Sequence, residues 1–498
     1  MVWRRHKKKL IALAALVLLV PGAHVAVRLT TAISPPLLAA PPATTMAPAE
    51  ARREEQGISR VGTSYVRMRG GVREVYLEGD PETIGDHHAR LLRDRMIANE
   101  TDLWSDFSRA VPFAPARALL MDLGRVRYRH VDRGVPDAYL RELGAEAAAF
   151  APEPLSATMP TYHRLLFLHA LYDIALSFEH SPLIGCSSFA LAPERTGNHH
   201  ALLARAFDFE AGDAFDRDKA VFFVRGTGKI PFASVAWPGL IGVMSGMNLE
   251  GVTIVVHGGR AREPRTSGLP VVYSLRQVLE RAHDTDEAIA VLREQSVMVS
   301  HIVMVTDARG HTAVVERAPG EPAILRTVDD PQRVALTNHF ESALKDDPRN
   351  ESVREHTSTL ARRARLDEML SAVEPGAGNV QGMLRMLRDH QCAEHAGHAE
   401  QASGPCPLGD RRTIDALIAT HGIVADATDR VLWVSAGPHL SGRFVRFDLR
   451  TIFAEGHDPA RDTEAETLPE DPILLDGRYE SGREHAGIST FRKEGRAP

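Results

Sequence analysis

The sequence predicts an α+β protein, because helical and strand-like segments come in separate runs rather than in strict alternation. Helix-forming stretches dominate from Gly79 to about residue 179. At Cys186 the pattern changes to short apolar runs separated by Gly, Pro and Asn. Apolar residues make up 44% and charged residues 25% of the 498 residues, which excludes a mainly disordered or fibrous chain. At this length we expect two or three domains, or one large enzyme domain with added layers.

The N-terminus combines a cationic segment with an uncharged run. Five basic residues at positions 4–9 precede the uncharged residues 10–27. This pattern is typical of an export signal or of a single membrane anchor, and the residues leave the two alternatives open. Either one places the rest of the chain on the non-cytoplasmic face. We assign residues 1–29 to this segment and the Pro- and Ala-rich residues 30–55 to an extended linker.

The leader that follows, residues 56–185, is predicted to be mainly helical. Asp80 and Pro81 have the form of an N-cap followed by Pro in the first turn, and they begin a helix that runs to about residue 110. Further helices are expected at about 113–125, 136–149 and 159–179. The last of these carries a series of leucines at helical spacing.

A second domain, residues 186–456, is predicted to contain most of the strands. Strands are expected at 186–191, 201–207, 220–225, 231–237, 241–244, 252–257, 300–306, 311–317, 322–327, 333–338, 412–419, 430–436 and 443–449. Helices are expected at 271–283, 285–295, 352–372 and 378–389. Residues 457–498 are acidic and then basic, and we expect a loose tail there.

The chain has three cysteines, at positions 186, 392 and 406. In an exported protein Cys392 and Cys406 are the natural disulfide pair, and a loop of about 15 residues closed in this way contributes about 3 kcal/mol. His390, His395 and His398 lie beside them, so a zinc site and the absence of any link remain alternatives. This leaves Cys186 alone, and an odd thiol in an oxidising compartment needs an explanation.

The charge of the chain argues against a nucleic-acid partner. Beyond residue 49 the chain holds 53 basic against 65 acidic side chains, a net charge of −12. Binding to phosphates requires a basic surface.

Polar residues within apolar runs single out the region around Cys186. Arg205 and Asp208 lie on a predicted strand and at its end, where charges are costly unless they are paired or belong to a site. Asn338 and His339 follow another predicted strand, and Arg443 lies in the last strand. Structural interpretations remain open for four of them: Arg205 with Asp208 as an ion pair, Asn338 as a turn residue and Arg443 as a structural residue.

These residues carry a resemblance to the cysteine branch of the N-terminal-nucleophile hydrolases. The chain resembles most the penicillin acyltransferase family (acyl-coenzyme A:isopenicillin N acyltransferase-like), and more distantly the choloylglycine hydrolases, penicillin V acylases and acid ceramidase. The motifs that carry the resemblance are, in chain order, Gly-Asp-Pro-Glu-Thr-Ile-Gly at 79–85, Gly-Cys-Ser-Ser at 185–188, Gly-Met-Asn-Leu-Glu-Gly at 246–251, Thr-Asn-His-Phe at 337–340 and Leu-Trp-Val-Ser-Ala-Gly-Pro at 432–438.

The resemblance implies an αββα sandwich and a chain that cuts itself between Gly185 and Cys186. The thiol of Cys186 would be the nucleophile, and the newly exposed α-amine would be its base. A free thiol, with a pKa of about 8.5, is mostly protonated at neutral pH, whereas an α-amine has a pKa of about 7.7–8.0. The leader would remain as a cleaved fragment.

The resemblance also implies roles for the other residues of the site. Asp208 would accept a hydrogen bond from the amine, Arg205 would stabilise the thiolate, and the side-chain N–H of Asn338 would stabilise the oxyanion. Arg443 is expected in the catalytic site, as in choloylglycine hydrolases. Residues expected to shape the substrate pocket or to supply a second oxyanion donor are Asn248, His257, Gly258 and His339.

The function implied is a cysteine amidohydrolase or acyltransferase that cleaves an acyl amide or lipid amide through an acyl-thioester on Cys186. This mechanism needs no metal or organic cofactor. Two alternatives remain: a phospholipase B-like lipid esterase built on the same nucleophile, and a non-catalytic, membrane-tethered binding protein.

Overall fold

A computed structural model of the protein describes residues 21–38, 53–178, 184–209, 213–393 and 406–485. His395, His398, residues 1–20 of the N-terminal segment, the middle of the expected linker and the last residues of the expected tail lie outside these ranges. Among the described residues, no helix is long and apolar enough to cross a membrane.

Two β-sheets form the centre of the molecule. The strands are β1 Arg53–Glu55, β2 Ile58–Val61, β3 Ser64–Arg69, β4 Val72–Gly79, β5 Ile184–Leu191, β6 Leu202–Phe209, β7 Ala220–Gly226, β8 Phe232–Ala236, β9 Ser245–Asn248, β10 Thr253–Gly258, β11 His301–Thr306, β12 Thr312–Arg317, β13 Ile324–Leu325, β14 Arg333–Leu336, β15 Ala419–Asp426, β16 Val431–Ser435, β17 Phe444–Asp448 and β18 Thr467–Leu468. In the described chain, the first sheet has the order β1-β2-β3-β4-β7-β8-β9-β10-β11-β12-β13, and the second has the order β14-β5-β6-β15-β16-β17-β18. The junction of β4 with β7 is parallel.

Helices cover the outer faces of both sheets. They are α1 Pro81–Ala110, α2 Ala114–Arg127, α3 Asp137–Phe150, α4 Thr161–His169, α5 Leu171–Leu176, α6 Ala214–Arg217, α7 Val271–Arg281, α8 Thr285–Glu294, α9 Pro348–His356, α10 Thr359–Ser371, α11 Val380–Leu387, α12 Leu449–Ile452 and α13 Arg478–His485. Residues 21–30 are also helical. The first helix begins as predicted, because Asp80 accepts a hydrogen bond from the Thr83 amide and Pro81 occupies the first turn.

The hydrophobic core has three layers. One lies between the sheets and joins Phe223 and Met304 of the first sheet to Leu203 and Val434 of the second. A second joins the other face of the first sheet to α1, α3, α4, α7 and α8. A third packs α10 and α11 onto the outer face of the second sheet. The layers are therefore helix, sheet, sheet, helix, and the αββα arrangement is confirmed.

The elements differ from the expectations at several places. The four strands β1–β4 lie where we expected the end of a linker and the start of a helical leader. The strand expected at 241–244 is found at 245–248, and the strand expected at 412–419 is found at 419–426. The expected loose tail contains β18 and α13.

Cys392 and Cys406 are joined in a disulfide. This link leaves Cys186 as the free thiol among the three cysteines of the chain.

Candidate active site

Cys186 lies near the beginning of β5, between β14 and β6 of the second sheet. Its side chain points to the same face as Ala190, which belongs to the core between the sheets. Phe207 is its partner across to β6, and His421 is the partner of Phe207 on β15, so the three residues form one row. The thiol is fully buried, and burial raises its pKa, because the thiolate is disfavoured away from water.

The guanidinium group of Arg205 lies against the thiol. Nη2 donates to Sγ of Cys186 at 3.4 Å and to the Val256 carbonyl at 2.6 Å. Nη1 donates to the Met244 carbonyl at 2.7 Å and to the Ser245 hydroxyl. The charge of Arg205 lowers the pKa of the Cys186 thiol, which opposes the effect of burial. The structure thus brings together two of the residues that the sequence singled out.

Asn338 holds the backbone nitrogen of Cys186. Its Oδ1 accepts from the Cys186 amide at 2.8 Å, and its Nδ2 donates to the Gly258 carbonyl at 3.0 Å. We expected this side-chain N–H to face a developing oxyanion. In the structure it is bound to Gly258 instead, and it is the amide oxygen of Asn338 that contacts Cys186.

Arg362, on α10, is a site residue that the sequence analysis missed. It donates to the Cys186 carbonyl, to the Ser187 hydroxyl at 3.0 Å and to Oδ1 of Asn338 at 2.9 Å. In the sequence it stands among other arginines of a helix, a pattern more typical of a solvated face. No local signal marked it, because only the tertiary fold brings α10 onto β5.

Asp208 lies on the other face of the second sheet from Arg205. It alternates with Phe207 along β6, and it packs against Gly185. A Cβ atom on Gly185 would lie 3.5 Å from Oδ2 of Asp208 and 3.9 Å from Nη2 of Arg362. The carboxylate is therefore next to the Gly185–Cys186 bond but not on the side of the thiol.

Two of the predicted residues lie in other places. Arg443 is half exposed and pairs with Glu470 at 3.1 Å, and it lies directly before β17, a strand four positions from β5 in the second sheet. We expected it in the catalytic site, and that placement is wrong, because strands about 4.8 Å apart carry β17 well away from Cys186. Asn248 is buried, but it uses all its polar atoms to shape a turn. Oδ1 accepts from two backbone amides, and Nδ2 donates to the carbonyls of Leu279 and Ala282. It has no group left for a substrate.

The ring nitrogens of the two predicted histidines contact neighbouring side chains. Nε2 of His257 contacts the Ser188 hydroxyl at 2.7 Å, and burial lowers the pKa of this histidine well below its usual value, so the ring is neutral. His339 lies 3.2 Å from Glu341, and its other nitrogen is 3.0 Å from the Thr359 hydroxyl. Neither ring faces an open cavity in these contacts. Gly258, as described above, contributes its carbonyl to Asn338.

An apolar cavity lies next to the residues that surround Cys186. Its walls include Phe207, the cross-strand partner of Cys186, and Met244, whose carbonyl binds Arg205. The other residues that line it are Asn99, Glu100, Leu103, Leu168, Leu171, Tyr172, Phe209, Ala214, Phe215, Trp237, Pro238, Gly239, Leu240 and Val272. The leader and the strand region both contribute walls, so the cavity exists only when the two are packed together.

Two groups of side chains in the described residues bring three potential metal ligands together. They are Cys392, Cys406 and Asp410, and His200, Asp426 and Asp429. The two cysteines of the first group are bound to each other, and neither group includes a residue of the site around Cys186.

Three comparisons place these observations among known proteins. Residues 195–403 match the family model described as acyl-coenzyme A:6-aminopenicillanic acid acyl-transferase, and the match begins just after Cys186. An uncharacterized protein of Archaeoglobus fulgidus is 22% identical over 256 residues, which are 47% of this chain and 41% of that protein. The aligned part thus spans less than half of that relative.

Three solved structures with a similar chain are distant from it in sequence. They include a Caenorhabditis elegans N-acylethanolamine-hydrolyzing acid amidase ortholog (TM-score 0.35, 13% identity, 49% of this chain and 93% of that chain). Penicillin V acylase from Agrobacterium tumefaciens has a TM-score of 0.34 at 15% identity over 57% of this chain and 99% of that one. Conjugated bile acid hydrolase from Clostridium perfringens has a TM-score of 0.35 at 12% identity over 57% and 97%.

The family match covers Arg205, Asp208, Asn338 and Arg362, the residues that surround Cys186 in space. The resemblance inferred from the sequence is thereby confirmed. Over residues 195–403 the chain is therefore similar to the acyl-coenzyme A:6-aminopenicillanic acid acyl-transferase family.

Proposed function

We propose that the protein is a self-processing cysteine amidohydrolase or acyltransferase with Cys186 as its nucleophile. One observation carries the proposal: a buried thiol accepts a hydrogen bond from a buried guanidinium, while Asn338 holds the backbone nitrogen of the same residue. A thiol next to a cation gives up its proton more readily, and a thiolate is the reactive form.

The first step is a cut of the chain's own backbone. Sγ of Cys186 attacks the carbonyl carbon of Gly185, the peptide bond breaks, and the acyl group of Gly185 passes to sulfur as a thioester. Water then hydrolyses this thioester and restores the thiol. The nitrogen of Cys186 becomes a free α-amine, next to Oδ1 of Asn338 and within reach of the thiol, where it serves as the general base.

The second reaction uses the same atoms on a substrate. The thiol attacks the carbonyl of an acyl amide, the amine leaves, and the acyl group remains on sulfur. Water releases it as a carboxylic acid, or an acceptor amine takes it as a new amide. The apolar cavity beside Cys186 supports an acyl group that is itself apolar, because an aliphatic or aromatic chain would replace water against Phe207 and Trp237.

Intact mass measurement with N-terminal sequencing tests the cut. We expect the native chain to yield a fragment that begins with Cys186, and Cys186→Ala to stay whole. A double variant Cys392→Ser/Cys406→Ser serves as the control, because it removes the other two cysteines and should still be cut. A native chain that stays whole under conditions where it is folded would overturn the proposal.

Matched substrates test the reaction class. An amide and an ester with the same apolar acyl group separate an amidohydrolase from a lipid esterase, and the amide should be cleaved at least as fast as the ester. Leu171→Trp, which fills the cavity, should slow cleavage of a long acyl chain but spare an acetyl group. If cleavage of the long-chain and the acetyl substrate slows equally, the acyl chain does not bind in this cavity.

A further inference from the structure

Arg205 is fully buried, and its contacts in the described chain are unusual for a buried cation. Its two terminal nitrogens donate to two backbone carbonyls, one hydroxyl and one thiol, and none of these acceptors is a carboxylate. The guanidinium also lies 4.3 Å from the centre of the Phe207 ring. Since a buried charge is costly without good partners, each of these acceptors matters for its position.

The hydroxyl acceptor belongs to a pair that joins the two sheets. Ser245, at the start of β9, accepts from Nη1 of Arg205 and lies 2.9 Å from Nε2 of His421 on β15. Both residues are fully buried. His421 follows a register shift between β15 and β6, and this irregularity turns its ring to the face that holds Phe207 and Cys186.

The direction of this hydrogen bond follows from the contacts. The Ser245 hydroxyl already accepts from Arg205, so its own hydrogen needs an acceptor, and Nε2 of His421 is at the right distance. Burial and the charge of Arg205 lower the pKa of His421 well below its usual value, so the ring is neutral and its Nε2 is available to accept. The hydroxyl is thereby fixed with its oxygen toward the guanidinium.

We propose that Ser245 and His421 are positioning residues that hold the Arg205 guanidinium against Sγ of Cys186. This inference rests on the proposed function, in which Cys186 is the nucleophile. A guanidinium held at the sulfur favours the thiolate, and one that is free to turn away favours the thiol. The pair therefore acts on the reactivity of Cys186 without touching the substrate.

A second buried Ser–His pair offers a matched control. Ser188 and His257 are as fully buried as Ser245 and His421, and their side chains are 2.7 Å apart. Ser188 lies two residues from Cys186 on the same strand. None of the hydrogen bonds in the described chain joins Ser188 to the guanidinium of Arg205, whereas Ser245 accepts one directly. Both variants thus remove a buried hydroxyl that contacts a histidine near Arg205, and they differ in the hydrogen bond that this hydroxyl accepts from the guanidinium.

The charged and titratable groups that interact with Cys186 come from several elements. They are Arg205 and Asp208 on β6, Arg362 on α10 and Tyr172 on α5, and His257 on β10 interacts with Arg205. None of them is changed by substitution of Ser245. The cut adds the α-amine of Cys186, so midpoints are compared between chains in the same state, cut or uncut, where a shift in the titration of the thiol reports on Arg205.

The experiment is a pH titration of the Cys186 thiolate by its ultraviolet absorbance, with Cys186→Ser as the blank. We expect Ser245→Ala and His421→Phe to raise the titration midpoint by about half to one pH unit, which is about a three- to tenfold loss of thiolate below the midpoint. Ser188→Ala should titrate like the native chain. Ser245→Thr keeps the hydroxyl and His421→Gln keeps an acceptor, so both variants should have a midpoint close to that of the native chain.

Equal shifts in Ser245→Ala and Ser188→Ala, or a native midpoint in Ser245→Ala, would overturn the inference. Ser245→Thr and His421→Gln keep the test decisive if the harsher variants do not fold. The titration does not require the protein to turn over a substrate. If the native chain is never cut, the proposed function is rejected, and the midpoints still test whether Ser245 and His421 position Arg205. A chain that is cut and active but indifferent to Ser245→Ala would reject the pair alone.

Discussion

At Cys186, burial and charge act in opposite directions on the thiol. Burial favours the neutral form, and the guanidinium 3.4 Å away favours the thiolate. Arg205→Gln removes the charge and leaves a shorter, polar side chain. We expect the thiol pKa to rise by a unit or more, so that alkylation by iodoacetamide at neutral pH slows about tenfold. The pH profile of the alkylation rate measures this.

Arg205→Lys is the control for charge without geometry. The ammonium group of lysine keeps the charge but cannot donate to all the acceptors that the planar guanidinium binds. We therefore expect an alkylation rate between those of the native chain and Arg205→Gln. If Arg205→Gln reacts as fast as the native chain, the guanidinium does not govern the thiol.

His301 makes a separate prediction about acid stability. It is fully buried at the start of β11, and burial together with the charge of Arg317 lowers its pKa to about 3. In the unfolded chain the same ring binds its proton near pH 6.5. Below that pH the unfolded state binds more protons, so His301 lowers the free energy of unfolding as the pH falls from 6.5 toward 3, by up to about 3 kcal/mol at pH 4.5.

Urea unfolding of the native chain and of His301→Gln at pH 7 and pH 4.5 measures this effect. The variant should lose less stability on acidification than the native chain. His283→Gln is the control, because His283 is exposed beside Glu287 and its pKa is raised rather than lowered. An identical loss in the native chain and His301→Gln would contradict the assignment.

At the scale of elements, hydrophobic pattern predicted most of the helices and the strands on either side of Cys186. The strand at 419–426 was missed because Thr420, His421 and Gly422 are typical of a turn, whereas in the fold they cross a register shift with buried partners. Strands β1–β4 were missed because charged and polar residues interrupt them, so that the longest apolar run, at residues 75–77 of β4, has three residues. The place of Arg205 beside Cys186 was implied by the family resemblance. Arg362 was missed, since its partners in the site are 24 to 176 residues away along the chain.

Two adjacent arginines of helix α10 allow a matched comparison, because one lies in the site and the other lies near the surface. Arg362 is buried against Cys186, Ser187 and Asn338, whereas Arg363 forms partly exposed ion pairs with Glu341 and Asp367. Arg362→Leu should lower the free energy of unfolding by about 3–5 kcal/mol and stop the cut, because buried acceptors lose their donor. Arg363→Leu should cost about 1 kcal/mol or less.

Urea unfolding and the fraction of cut chain measure both variants of α10. If Arg362→Leu is cut at the native rate, α10 supports the fold but not the reaction.

At the scale of the whole molecule, the leader and the strand region form one structure. Strand β4 of the leader pairs with β7 over seven residues, and the core under the first sheet mixes residues from both sides of Cys186. A buried ion pair also crosses the boundary: Arg276 of α7 donates to both carboxylate oxygens of Glu142 of α3, at 2.5 and 2.7 Å. The walls of the cavity come from both parts as well.

We therefore predict that the leader stays bound after the chain is cut before Cys186. Size-exclusion chromatography of the cut protein should give one peak with both fragments, at low and at high salt, because most of the shared surface is apolar and salt does not screen it. Only denaturant should separate them. Arg276→Met leaves Glu142 and Glu280 buried without the guanidinium that binds both, and it should lower the free energy of unfolding by about 3–5 kcal/mol. The double variant Arg276→Met/Glu142→Met removes the Glu142 charge as well and should recover part of that loss, because Glu280 still lacks Arg276. If the fragments separate in native buffer, the cavity loses the walls that the leader supplies, and the site must then bind its substrate with the strand region alone.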